Sequence, residues 1–309
     1  MTTPRWPVSS SSEAEPGTGP GGGAATEPIA EVEAEAQVAA AQGEVAQGEV
    51  AQGEAARAER RARARLLLAY FGAGFHGFAL QGGQRTVASE LGGAITTVLR
   101  QPVELTCAGR TDAGVHAWGQ VVSLDIGAAS DLERLQRSVN KMLAPEVVVR
   151  EASWAGPGFD ARRSALSRLY RYSIDCSRWP SPFLAGTTWH VPAALDLRGM
   201  RAAADALLGE HDFTSFCHAV KGRPGPIVRR VLSAEWSELG DGRLSFEIEA
   251  ASFCHQMVRS IVGALVEVGL GRKAAGQILG VLAARDRSAA GPVAPAHGLC
   301  LWRVKYPLS

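Results

Sequence analysis

From residue 65 onward the chain alternates between short apolar runs and longer amphipathic stretches, and this alternation predicts its elements. Arg65-Leu-Leu-Leu-Ala-Tyr-Phe71 is an apolar run of strand length. Thr86 stands where an N-cap should, ahead of Val87, Leu91, Ile95 and Val98 at helical spacing. Pro102–Cys107 and Gly119–Ile126 read as two strands joined by a polar, glycine-rich loop. Ser130 and Glu133 have capping-box spacing before Leu132, Leu135, Val139 and Leu143, and Glu146–Trp154 reads as another strand. The expected order is β-α-β-β-α-β.

The second half repeats it. Ser167–Cys176 is a predicted strand, followed by a helix capped by Asp196, carrying Met200, Ala203 and Leu207, and stopped by Gly209. Ile227–Glu238 and Arg243–Ala251 form a predicted hairpin around Gly240-Asp241-Gly242. A helix from His255 to Val268 and a strand from Gly298 to Tyr306 complete the pattern. The fold expected is α+β: two ferredoxin-like halves, residues 63–160 and 161–309, with a mixed or antiparallel sheet and an active-site cleft between them.

Residues 1–62 break the pattern. They are rich in Ala, Gly, Glu and Pro and carry the tandem AQGEV, AQGEV, AQGEA over residues 41–55, so a disordered acidic tail is expected. Glu54–Arg65 could form a short charged helix leading into the fold. Residues 1–60 hold ten Glu against three Arg, a net −7, which leaves +8 on the rest of a chain whose total is +1. A basic body suits a polyanionic partner, although solvated surface charge explains it equally well at this level. No run approaches the roughly 20 apolar residues of a membrane span, and the opening MTTPRWPVSSSSEAEPG has no signal-peptide core. A cytoplasmic location is expected. The five cysteines are scattered, odd in number and free of any C-x-x-C pair, which reads as reduced thiols rather than disulfides or a zinc site.

Candidate chemistry concentrates in Cys107-Ala-Gly-Arg-Thr-Asp-Ala-Gly-Val-His-Ala-Trp-Gly-Gln-Val121. It joins two predicted strands, so Arg110, Asp112 and His116 would ride on a loop fixed by rigid elements. Taken alone, the segment could equally be a tight turn in which Asp and Thr satisfy their own backbone. As a whole, GRTDAGVHAWGQV resembles the signature of the TruA family of tRNA pseudouridine synthases. PGFDARRSALSRLYRYSI (157–174), HDFTSF (211–216), FCHQMVRSIVG (253–263) and APAHGLCLWRVKY (294–306) are similar to further blocks of that family, in the same order. The resemblance spans roughly residues 65 to 306.

The resemblance implies a cofactor-free and metal-free isomerase, acting on uridines at positions 38–40 of the tRNA anticodon arm, and working as a homodimer. It makes Asp112 the catalytic carboxylate. Arg259, matched to the Arg of the MVR block, becomes the cation expected beside it, at the edge of a helix's apolar arc. Tyr170, the first Tyr of the Y-x-Y strand, would stack on the target uracil and is a candidate for taking up its carbon-bound proton. Tyr172 shares its strand face and reads as a core residue. Arg110 would fill the gap left by the extruded base and bind phosphate. The chain departs from the family at Gly77-Phe78-Ala79, where G-W-Q is usual, and at Ser252, where Asn is common.

Two other patterns need weighing. Gly72-Ala-Gly-Phe-His-Gly77 fits G-x-G-x-x-G, but no helix opens after it and no acidic residue follows at the expected distance. Cys217-His218 and Cys254-His255 suggest metal, yet on strands each pair could offer only one ligand to a common side. The competing functions are a non-catalytic RNA-binding module, which lacks its RNP-type strand here, and a dinucleotide-dependent oxidoreductase, which lacks the helix after its glycines.

Overall fold

The computed structural model of the chain describes residues 60–218 and 225–307. The acidic repeat segment and its expected disorder lie outside the described residues. The end of the expected charged helix instead begins the first strand. In β1 (Arg61–Tyr70) Ala64, Leu66, Leu68 and Tyr70 alternate inward, while Arg63 reaches the Asp125 carboxylate through Nε at 2.7 Å and Nη2 at 2.9 Å. Extended arginines with a cross-strand acid favour the ladder over a helical turn.

The remaining strands are β2 (Thr106–Cys107), β3 (His116–Gly127), β4 (Val147–Trp154), β5 (Ser167–Asp175), β6 (Trp189–His190), β7 (Gly209–Asp212), β8 (Val228–Gly240), β9 (Arg243–Ala250) and β10 (Leu299–Lys305). They form one mixed sheet in the order β4-β1-β3-β10-β5-β9-β8-β7, with β2 beside β3 and β6 beside β5. Strands from early and late in the chain meet where β10 runs parallel to β3, Cys300 opposite His116. The β8–β9 hairpin turns at Asp241 and Gly242, both left-handed with φ of 53° and 72°, as a tight hairpin requires. The predicted Pro102–Cys107 strand shrinks to Thr106 and Cys107, since Pro102 has no amide to give a ladder.

The helices are α1 (Val87–Leu99), α2 (Leu132–Leu143), α3 (Leu197–Asp205), α4 (Met257–Gly269) and α5 (Gln277–Ala284). Thr86 caps α1 as expected, in a box closed by Ser89. Asp131, not Ser130, caps α2, its carboxylate accepting from the Arg134 amide at 2.9 Å. Asp196 caps α3, but the helix ends at Asp205, and Gly209, at φ 95°, opens β7 instead of stopping it. α4 starts two residues later than predicted and buries Val258, Ile261, Val262, Leu265 and Val268. α5, QILGVLAA, was not expected, since it has no side-chain cap and little polar periodicity. No helix among the described residues is long and apolar enough to cross a membrane.

Candidate active site

Asp112 lies in the connection from β2 to β3, and the backbone of that loop is held almost group by group. Arg168 of β5 is buried and donates from Nε and Nη2 to the Ala108 carbonyl at 3.2 and 2.9 Å. Gln120 of β3, fully buried, grips Gly109 on both sides: its amide donates to the carbonyl at 2.7 Å and its oxygen accepts the N–H at 3.4 Å. The Thr111 hydroxyl pairs with Tyr70 at 2.8 Å, and the Thr111 carbonyl accepts from the Phe78 amide at 3.1 Å. Val115 N–H donates to the Asp112 carbonyl, and Gly114, at φ 78°, donates to Phe75. Buried polar groups this fully paired fix a loop as firmly as a strand does.

The glycine-rich run now has a role. A Cβ on Gly72 would stand 2.0 Å from the Val115 carbonyl oxygen, and one on Gly77, at φ 89°, would stand 2.7 Å from that of Thr111. The run forms a short 3-10 turn that packs its backbone directly against the Asp112 loop. Its glycines are required for that close approach.

His116 corrects the sequence reading. It begins β3, buried, rather than riding on the loop. Its Nδ1 accepts the Gly72 N–H at 2.9 Å, so Nε2 carries the proton and donates toward the carbonyls of Gly186 and His297, each at 3.0 Å. Burial pushes its pKa down, against a smaller upward pull from those carbonyls. His116 is a neutral pin between segments.

Asp112, Arg110, Tyr170 and Arg259 all line one cleft of about 1000 Å³. Arg259 Nη1 lies 3.3 Å from Asp112 Oδ2, with the two side chains only 16% and 24% exposed. Its Nε donates to the Ala294 carbonyl at 2.8 Å, while the Ala294 amide donates back to the Arg259 carbonyl at 3.0 Å. The segment around Ala294 fits there because Gly263 of α4 leaves room: a Cβ on it would lie 2.0 Å from the Pro292 oxygen. Arg259 is thus anchored at both its backbone and its guanidinium. Tyr170 is buried and packs edge-on against Phe253, ring centroids 5.1 Å apart. Burial first, and the Asp112 charge second, push its phenol far above the ordinary range, so it keeps its proton. Tyr172 is the core residue expected, its hydroxyl donating to Pro295 at 2.8 Å. Arg110 is exposed.

Two features escaped the sequence. His255 Nε2 lies 3.5 Å from Asp112 Oδ1, on the other oxygen from Arg259. Cys217 and Cys254 are joined in a disulfide with Cα atoms 5.8 Å apart, which overturns the expectation of reduced thiols at these two positions. The pair is 37 residues apart in sequence and meets only because the turn Thr214–Phe216 and the approach to α4 converge. Neither Cys-His pair sits on a strand, so strand alternation does not apply to them, and the two sulfurs bind each other. Among the described residues no three His, Cys, Asp or Glu gather as a metal site.

The charge of the cleft is lopsided. Among the described residues Arg110, Arg162, Arg168, Arg229 and Arg259 line it, and Asp112 is the one carboxylate. Such a wall attracts a polyanion and offers a single negative group to react.

Residues 203–307 match a family model described as tRNA pseudouridine synthase. The tRNA pseudouridine synthase A of Methylobacterium nodulans is 43% identical over 246 residues, covering 79% of this chain and 96% of the relative. That of Bacillus subtilis is 38% identical over 246 residues, covering 79% and 99%. That of Frankia casuarinae is 45% identical over 247 residues, covering 79% and 89%.

Proposed function

The chain belongs to the tRNA pseudouridine synthase A family, and on that premise we propose that its cleft isomerises uridines at positions 38–40 of the tRNA anticodon arm, with Asp112 as the reacting carboxylate. The observation that carries this reading is the placement of Asp112: a carboxylate on a braced loop, in a cleft whose wall among the described residues also carries five arginines. Pseudouridylation breaks the bond from the sugar's C1′ to the base's N1, turns the uracil, and joins C1′ to its C5. Asp112 would attack C1′, or remove the C2′ proton to give a glycal; both routes need the same braced oxygen facing the sugar.

Arg259 balances the carboxylate's charge and holds its Oδ2. Tyr170 would stack on the extruded uracil. With its proton firmly held, the phenol suits stacking and hydrogen-bond donation better than proton abstraction. Arg110, exposed on the same loop, would enter the gap left by the base and meet phosphate. Residues 63–160 and 161–309 are read as two ferredoxin-like halves, the strand orders β4-β1-β3-β2 and β10-β5-β9-β8 supporting that reading. The acidic tail expected over residues 1–62 is shortened at its end, since Arg61 and Ala62 already pair with β3, and the preceding residues are read as the tail. The working form is proposed to be a cytoplasmic homodimer.

The test is release of tritium from tRNA labelled at C5 of uridine, with no cofactor added. Asp112→Asn should lower the rate at least about 10³-fold while tRNA affinity stays within about threefold. A fully active Asp112→Asn enzyme would overturn the assignment.

A further inference from the structure

A carboxylate has two oxygens, and here each has its own neighbour. Arg259 Nη1 takes Oδ2 at 3.3 Å, and His255 Nε2 stands 3.5 Å from Oδ1. The second contact is longer than a good hydrogen bond, so its strength depends on whether the imidazole is charged. We propose that His255 is a positioning residue for Asp112: neutral, it steadies Oδ1 for reaction; protonated, it ties that oxygen into an ion pair and slows the chemistry. This rests on Asp112 being the reacting group.

His255 is placed for such a role. Its predecessor Cys254 is bonded to Cys217, and the His218 amide donates to the His255 carbonyl at 3.0 Å. Its successor Gln256 turns the chain into α4 through a left-handed conformation, φ 62°. The backbone is therefore held on both sides while the ring stays half-exposed at the cleft wall. The disulfide and the left-handed residue carry the imidazole to Asp112, and α4 carries Arg259 to the same carboxylate from the other side.

The direction of the effect follows from charge. As the C1′–N1 bond breaks, the sugar acquires oxocarbenium character and needs negative charge beside it. A cationic imidazole at Oδ1 would both tether the attacking lone pair and oppose that positive sugar. Among the described residues, Asp112 and His218 are in contact with His255, the His218 ring edge to face at 5.2 Å, and His76, Arg110, Arg162, Arg168, Arg229, Arg259 and Tyr170 share its cleft. Of these side-chain types only imidazole ordinarily changes charge between pH 5.5 and 7.5. His76 lines the same cleft and serves with His218 as a control.

The experiment measures single-turnover tritium release with enzyme saturating, so that tRNA affinity drops out. The wild-type rate should fall about tenfold on going from pH 7.5 to pH 5.5, as the imidazole beside Oδ1 gains its charge. His255→Gln and His255→Asn should change less than about twofold over the same range, whatever their maximum rate. His255→Lys, charged throughout, should run about tenfold below His255→Gln at pH 7.5. His218→Gln and His76→Gln should keep the wild-type fall. A purely structural role for His255 would lower the rate equally at every pH. Parallel wild-type and His255→Gln profiles would therefore overturn the inference while an inactive Asp112→Asn left the carboxylate assignment standing. An active Asp112→Asn would instead remove the premise.

Discussion

Two sets of groups in the same cleft are held in opposite ways. The loop around Asp112 is tied by Arg168, Gln120 and the Phe78 amide through its backbone and by Tyr70 through the Thr111 hydroxyl, each of them buried. The guanidinium groups of Arg110 and Arg162 are exposed, and neither forms an ion pair among the described residues. The contrast matches two different physical demands. A bond-making carboxylate must arrive within a fraction of an ångström, whereas neutralising a flexible polyanion requires charge more than fixed geometry. Damage to the braces should therefore appear in turnover, and damage to the rim in affinity and its salt dependence.

Gln120→Ala tests the braced side hardest. It leaves both polar groups of the half-buried Gly109 without their partner and removes one partner of the buried Tyr70 hydroxyl. We expect a stability loss of about 3 kcal/mol by denaturant titration. Saturated turnover should fall roughly 10²-fold as the loop relaxes, with tRNA affinity nearly unchanged. An equal loss in affinity would blur the contrast, because it would mean that the loop's position also sets the RNA surface.

Tyr70→Phe is a milder cut at the same support. Only the hydroxyl goes, stranding the Thr111 side chain at 2.8 Å and one proton of Gln120 at 3.3 Å. The expected cost is about 1 to 2 kcal/mol in stability, with turnover down by no more than roughly tenfold. A variant with wild-type turnover and wild-type stability would show that Gln120 and Arg168 alone suffice.

How much of this could be read beforehand divides along the same line. Groups that act through local sequence were legible: the apolar run of β1, the Thr86 and Asp196 caps, the Asp241-Gly242 turn, and the motif around Asp112. Groups that act through long-range packing were not. Gln120 read as one letter of a motif, although a lone amide within an apolar strand signals a buried hydrogen-bonding duty. Arg168 sat in a recognised block without its purpose showing, since the Ala108 carbonyl it binds is 60 residues away. His255 drew attention only as a metal ligand, and the cysteine beside it pairs with a residue 37 positions distant. The glycines at 72 and 77 looked like a nucleotide loop because sequence gives the glycine but not the backbone pressed against it.

The smallest expected effect lies on the rim and decides whether the contrast holds. Arg110→Ala removes an exposed charge from the loop without touching its braces, since the contacts at positions 108, 109 and 111 use backbone or other side chains. Each lost phosphate contact forgoes the release of its condensed counterion, so the plot of log affinity against log salt should flatten by about one. At moderate ionic strength the affinity for tRNA should weaken about fivefold to tenfold, with the difference shrinking as salt is raised. Arg162→Ala, on the segment before β5, should flatten the slope similarly if it meets phosphate, and the double variant should flatten it by about two. Saturated turnover separates the two arginines. Arg162 is proposed only as charge and should leave it unchanged, whereas Arg110 is proposed to hold the space vacated by the base and should lower it a few-fold. If Arg110→Ala abolished turnover at saturation and left the salt slope intact, Arg110 would belong with the braced chemistry, and the rim would begin at Arg162.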